Sequence, residues 1–597
     1  MGWLASLRPS AHAAILLVVH SILLGWAATR HSPTVDEVGH LGAGLSHWHF
    51  HRFDLYRVNP PLVRSVATLP VYLLGPTLDW HSYSQDSSWR TEFDVGRDFF
   101  AANGEDSFRY LFVARWMCIP FSILGGYVCF LWATDLYGSR AGIVATALWC
   151  FCPNILAHSQ MITPDAPATA LGMAASYVFW KWLSNPSWKR SLLCGLLLGF
   201  AEISKTTWLI LFAIWPVLWV IRIGRSWNEL KSHARREALQ LTFILGLGWY
   251  LINLAYGFEG SFTQLGHFAF ESTVLKGTGS HEEIRNRFTN GWLGRIPVPL
   301  PKYYVLGIDS QKHEFERGYL SFLRGTWRDH GWWYYYVYAL AIKTPIGNWC
   351  LLCLAIYRWR TVASRNWYND VCLFLPACVV LTLVSSQTGF NHHLRYVLPV
   401  LPFMYVWISQ LVAGDGSRKR ILLPAVLLAW SVVSSMSVYP HSLSYFNEAV
   451  GGPRYGHAHL VDSNIDWGQD LLYLKAWLGE HQESRDIKLA YFGWCDPGVV
   501  GLKYSLPPRG GPFVRGSDPG PKPGLFAISV NFLRGHRFPV FNGSGGTEYL
   551  DLPYYAYFQM LEPVGMAGYS IYIYDVTPEE ANRIRADLGY PLLQLDR

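Results

Sequence analysis

The chain has 597 residues, 51% of them hydrophobic and only 15% charged, with a formal net charge of +7. Ordinary soluble proteins carry roughly 25% charged residues, which excludes a wholly soluble chain. The Lys and Arg gather in short loops between apolar runs, the orientation signal of membrane proteins, so the excess does not point to nucleic acid.

Apolar runs of about 17–22 residues recur from Ala11 to Pro440, each long enough to cross a hydrocarbon core of roughly 30 Å. They predict spans at about 11–29, 110–132, 141–157, 165–182, 191–204, 206–221, 238–256, 333–357, 370–386, 394–413 and 421–438, about eleven in all. The first run, with Arg8 before it, has the outline of a signal peptide. It exceeds an h-region of roughly 7–15 residues and many spans follow, so it reads as an uncleaved first span. With the amino terminus inside, the strongly basic short loops share one side: Lys181, Lys189 and Arg190; Arg222, Arg225, Lys231, Arg235 and Arg236; Arg358, Arg360 and Arg365; Arg418, Lys419 and Arg420. The positive-inside rule favours that orientation and puts the loops of about 30–109 and 257–332, and everything after Pro440, outside. The ten cysteines lack the paired spacing of a disulfide framework or zinc site; only Cys495 falls in the polar remainder.

The first loop opens with "HSPTVDEVGH", His31 to His40, holding Asp36 and Glu37. A carboxylate at the interface is placed to take a proton from a hydroxyl acceptor; the plain alternative is a solvated loop. "RVNPPLVR" follows, with Asn59 before Pro60 and Pro61, which suit the first turn of a helix. The apolar run behind them is too short to span and suits a helix lying in the interface, with Arg64 on its first turns. In "LAHSQMITPDAPATA", Asp165 would begin the fourth span, where the helix dipole favours an acid, or face the same cleft as Asp36. Glu202 and Lys205 read as a local ion pair. Lys343 sits inside the apolar "YALAIKTPIG", and Arg395 follows His392 and His393 in "TGFNHHLRYVLPVLPF". Ionisable groups in spans are costly and mark function or pairing; snorkelling or interface anchoring are their plain readings. The adjacent His pair, with no third partner in sequence, is a weak metal signature.

From His441 onward the chain reads as soluble α/β. "IKLAYFG", "GLFAISVN" and "YSIYIYDV" are expected strands. "DWGQDLLYLKAWLGEH" is an expected helix with Asp466 as its cap, and "RGGPFVRGSDPGPKPG" a loop. The segment Tyr445 to Leu471 is dense in Asn, Asp, Glu and Gln. The expected division is a membrane domain at 1–440 and an extracytoplasmic α/β domain at 441–597, as in a bacterial plasma membrane protein.

"TVDEVGH", "NPPLVR" and "NHHLRYVLPVLP", in this order and on one side, resemble the C-type membrane glycosyltransferases that use polyprenyl-phosphate sugars, notably the protein O-mannosyltransferases and lipid A aminoarabinose transferases. The resemblance covers about residues 10–440. It implies a polytopic α-helical C-type glycosyltransferase fold and transfer from a polyprenyl-phosphate sugar to a glycan, lipid or protein acceptor at the outer face, with inversion. It implies Asp36 as general base, Glu37 and Asp165 as positioning acids, and Arg64, Lys343 and Arg395 as cations for the leaving phosphate. His40, Asn59, His392 and His393 become candidate acceptor or cleft residues. Asn59 departs from the family, whose helix usually has His or Lys before the Pro pair. Some members use a divalent metal and others none, so a cofactor stays open. The rival class is a transporter or flippase, which would need a polar path across the bilayer and shows no inverted repeat of broken helices.

Overall fold

Inside hydrocarbon every backbone polar group must be paired within its own segment, and each expected span is helical or mainly helical in the computed structural model. That model describes residues 8–85, 90–225, 233–277, 286–359, 366–414, 418–481, 487–511 and 519–594. Lys231, Arg360, Arg365 and part of the 509–524 loop lie outside these residues, as do the side chains of Arg225, Arg418 and Lys419.

Five described helices are long and apolar enough to cross a membrane: Pro9–Ala27, Asp106–Tyr137, Thr206–Gly224, Ala234–Ala255 and Trp367–Ser386. The chain is a multi-pass integral membrane protein. Two further expected spans are each a pair of bent helices. Ser139–Cys150 and Pro153–Ser159 meet at 61°, and Tyr335–Lys343 and Ile346–Arg358 at 109°. Pro345 explains the second break: it lacks an N–H and keeps Thr344 extended, at φ −112° and ψ 136°. Counting each bent pair once gives up to seven spans by length and composition, against the eleven expected. The remaining four, Asp165–Ser184, Trp188–Ser204, Val400–Val412 and Arg418–Met436, are helical but shorter or less apolar.

Pro60 and Pro61 lie just before, not within, the helix Leu62–Leu73. The helix Val35–Phe50 packs between it and Glu92–Asn103. The second contact is nearly backbone to backbone: a Cβ on Gly96 would lie 2.1 Å from the carbonyl oxygen of Val38, and one on Gly42 2.8 Å from the Gly96 nitrogen. Small residues permit this approach, and it fixes the helix that carries Asp36.

Beyond the helices lies a five-stranded sheet in the order Tyr504–Ser505, Ile487–Ala490, Gly524–Ser529, Ile571–Val576, Gly565–Ala567. The first three strands are parallel; Gly524–Ser529 and Ile571–Val576 pair antiparallel, with Ala527 opposite Ile573. The apolar run of Gly524–Ser529 matches its burial on both faces. The sheet unit is sewn to the bundle by backbone bonds: Ser32 N–H donates to Gln469 O at 3.0 Å and Val35 N–H to Trp467 O at 2.9 Å.

The helix expected to open at Asp466 runs Leu471–Glu480 and is preceded by Asp470. Gly468, at φ +93°, turns the chain between them. Asp466 is buried instead, accepting from Gly468 N–H at 3.0 Å and bonded to Ser529 Oγ. Burial, aided by Asp470 and Asp462 and opposed by those hydrogen bonds, pushes its carboxyl up to about 8. The folded state therefore holds a proton that the unfolded chain releases near pH 3.9. That contribution is complete below the unfolded value, declines as pH rises and is gone once pH passes through about 8. Thermal melting of the detergent-purified chain should drop in temperature between about pH 4 and pH 8, and Asp466→Asn should flatten that drop. An equally steep drop in the variant would assign it to another group.

Candidate active site

Asp36 and Glu37 are adjacent yet do opposite things. Both lie in the first turn of Val35–Phe50, 100° apart around the axis. Glu37 turns inward, with no exposure. Its Oε2 accepts from Thr34 N–H and Thr34 Oγ1 at 3.0 Å each, a capping box. Its two oxygens also take a bidentate pair of bonds from Arg115, at 2.8 and 2.6 Å, and Oε1 accepts from Ile162 N–H at 3.0 Å. Arg115 further donates to the carbonyls of Ala28, His31 and Ser32. Glu37 thus fixes the chain before the helix and is fully occupied. Arg115 was not singled out in the sequence, although an Arg within the apolar "YLFVARWMCI" is itself a signal.

Asp36 turns outward to a cavity of about 420 Å³. Arg395 Nη1 donates to its Oδ2 at 2.8 Å and lies 3.6 Å from Asp165 Oδ2. Lys205 Nζ donates to Asp165 Oδ1 at 2.6 Å. Lys205 therefore does not pair with Glu202, which accepts from Tyr304 OH: the helix Trp188–Ser204 ends one residue earlier, and Lys205 is extended at φ −160°, aimed away from that helix. Asp36, Asp165, Arg395 and Lys205 form one chain of alternating charge along the cavity wall. The Arg395 guanidinium lies 4.1 Å from the Trp467 ring, so the segment before the sheet closes over it.

The cavity also takes in Asn59, His392 and His393. Burial holds the His392 imidazole down to about 4, hence neutral at pH 7. His393 Nδ1 is 2.6 Å from Ser463 Oγ and 3.3 Å from Asp462 Oδ1, and His536 Nε2 is 3.1 Å from Asp462 Oδ2. Burial raises the Asp462 carboxyl, but His393 and His536 more than offset it and leave it well below the usual range. Asp462 also holds φ +59°, a strained backbone for a non-glycine residue. His40, one turn from Asp36, is buried against Tyr56 at 4.1 Å between ring centres, with no hydrogen bond to either nitrogen.

Arg64 and Lys343 lie elsewhere. Arg64, 1% exposed, bonds His47 Nε2 at 2.7 Å and the Asn59 carbonyl at 2.8 Å, pinning the turn before its helix. Lys343, 2% exposed, donates to the carbonyls of Leu443, at 2.6 Å, and Asn464. The cavity takes two cations the sequence reading did not single out, Arg317 and Arg537, with no ion pair among the described residues. It shares Lys205, Gln311 and Tyr396 with an adjoining apolar groove walled by Ile210, Phe315, Val380, Leu383 and Val384. A second cavity of about 500 Å³ shares Tyr56, Arg90, Glu314 and Tyr319 with the first.

Residues 108–249 match the family model described as dolichyl-phosphate-mannose-protein mannosyltransferase. No curated protein matches the chain by sequence. Among solved structures it is similar to ArnT from Cupriavidus metallidurans bound to undecaprenyl phosphate, at 11% identity over 96% of this chain and 97% of that one, with a TM-score of 0.46. The same protein in the apo state gives 12% identity, 95% and 98% coverage and a TM-score of 0.45. The S. cerevisiae protein O-mannosyltransferase Pmt1-Pmt2 complex bound to the sugar donor gives 18% identity, 47% and 38% coverage and a TM-score of 0.34.

Proposed function

We propose, with residues 108–249 matching the dolichyl-phosphate-mannose-protein mannosyltransferase family model, that this chain is a glycosyltransferase passing a sugar from a polyprenyl-phosphate donor to an acceptor in the cavity at Asp36. The observation that carries the reading is an apolar groove that shares a wall with a polar cavity in which Arg395 joins two carboxylates. A lipid-phosphate sugar has that order of parts. Its hydrocarbon lies along Ile210, Val380, Leu383 and Val384, its phosphate beside Lys205 and Arg395, and its sugar toward Asn59, His392 and Trp467.

Asp36 takes the proton of the acceptor hydroxyl or amine as that group attacks the anomeric carbon. The carbon inverts and the bond to the phosphate oxygen breaks. Negative charge grows on the leaving phosphate, where fixed cations lower the barrier. A phosphate beside Arg395 gives the guanidinium a third anion to bind, besides Asp36 and Asp165, which loosens its hold on Asp36. Arg317 and Arg537 are the additional phosphate or acceptor cations, whereas Arg64 and Lys343 hold the walls. The adjoining cavity is the acceptor's route. The basic loops favour an extracytoplasmic position for this end of the bundle, with residues 1–440 as the transferase domain and 441–597 closing the cavity.

Val384→Trp tests the groove. The chain reconstituted in vesicles should transfer sugar from a long-chain polyprenyl-phosphate donor, and the variant should raise KM by roughly tenfold with kcat little changed, the mark of lost uniform binding. Unchanged KM for long-chain donors would remove the groove from the donor site.

A further inference from the structure

We propose that His31, His441 and Asp470 form a binding site for a divalent transition-metal ion of the zinc class, separate from the cavity. The three residues come from distant parts of the chain: just after the helix Pro9–Ala27, just after the helix Arg418–Met436, and at the head of Leu471–Glu480. One donor atom from each lies within 4.8 Å of the others. His31 Nδ1 is 3.5 Å and His441 Nδ1 3.3 Å from Asp470 Oδ1. Ligand atoms about 2.0–2.1 Å from a tetrahedral zinc lie roughly 3.3–3.5 Å apart.

Proton positions point to a cation. His31 Nε2 is 3.1 Å from the carbonyl oxygen of Pro440. A carbonyl can only accept, so Nε2 carries the hydrogen, and in the neutral ring Nδ1 is then a lone pair. This Nδ1 is buried and makes no hydrogen bond. What faces it is another acceptor, a carboxylate oxygen with no side-chain exposure. Two facing lone pairs in a buried site are unfavourable until a positive charge lies between them. One metal ion satisfies both, together with His441.

The surroundings match those of a metal site. A ligating imidazole commonly gives its other N–H to a backbone carbonyl, and a ligating carboxylate is itself hydrogen-bonded. His31 does the first with Pro440, and Ser570 Oγ donates to Asp470 Oδ2 at 2.8 Å. Two imidazoles and one carboxylate suit zinc better than calcium or magnesium. His441 is the ligand nearest solvent, at 15% side-chain exposure, so a water can complete the set. The ion would pin the segment leading into Asp36 to the sheet unit, reinforcing the backbone bonds of Ser32 and Val35. The site stands whether or not the chain is a transferase.

The test uses the full chain, purified in detergent with a histidine-free tag, stripped of metal and titrated with Co2+ and then Zn2+. The expected result is about one equivalent of Co2+ bound per chain, with the visible absorption of a four-coordinate site, displaced by Zn2+. His441→Gln should abolish that absorption, Ser570→Ala should weaken binding roughly 10–100-fold, and His481→Gln, at an exposed histidine far from the cluster, should leave it unchanged. Absence of stoichiometric Co2+ and Zn2+ binding in the native chain, with a proton as the cation on His31, overturns the proposal regardless of how the variants fold. Undiminished binding in folded His441→Gln overturns it equally.

Discussion

Replacing Asp36 with Asn is expected to slow sugar transfer by roughly 10²–10⁴-fold, the range for removing a general base, with donor binding nearly intact. Asn keeps the size of the side chain and an oxygen that can accept from Arg395, so the bridge to Asp165 has what it needs to persist. The helix is not at risk, because its capping box uses Glu37 and Thr34. What is lost is the one group on this turn that both reaches the cavity and can take a proton. Single-turnover transfer beside equilibrium donor binding separates the two effects. Native rates in the variant would place the base elsewhere. Equal losses in donor affinity and rate would make Asp36 a donor-binding group.

The second large effect concerns stability. Arg115→Met is expected to destabilise the fold by about 3–5 kcal/mol, the usual result of breaking a buried pair. Arg115 and Glu37 are 1% and 0% exposed, with Nη2 to Oε2 at 2.6 Å. Burial alone would raise the Glu37 carboxyl; the charge and hydrogen bonds of Arg115, with the N–H groups of Thr34 and Ile162, outweigh it and leave it below the ordinary value. A depressed carboxyl gives stability that is present above its unfolded value of about 4.3 and is lost as pH falls through the lower folded value. Adding Glu37→Gln should recover part of the loss by removing the stranded charge. Thermal unfolding in detergent of the native, single and double variants gives the answer. A single variant as stable as the native chain would show that this clamp does not hold the helix of Asp36.

The spans were legible because a run of some twenty apolar residues has little alternative in hydrocarbon. The breaks were less so. Pro345 lies within one continuous apolar run, and hydropathy does not register the 109° bend that its ring imposes. Residue type and side of the membrane suggested Asp36, Asp165 and Arg395, but their separations of 2.8 and 3.6 Å arise from contacts across hundreds of residues. Direction was the main thing hidden. Arg64 and Lys343 were visible as costly charges, and nothing local shows that they turn onto backbone carbonyls rather than into the cavity. Lys205 illustrates the same limit: its spacing from Glu202 suggests a helical pair, while the helix end redirects it to Asp165. His536, Arg537 and Trp467 reach the cavity only because the sheet unit is docked over it, which no periodicity encodes.

Product analysis tests the central claim most directly. The reconstituted chain is given a polyprenyl-phosphate sugar of defined anomeric configuration with an acceptor pool, and both products are followed by mass spectrometry and NMR. Transfer predicts release of polyprenyl phosphate in equal amount to a new glycoside of opposite anomeric configuration. A donor lipid that crosses the vesicle membrane unchanged, or a glycoside of retained configuration, would contradict the account.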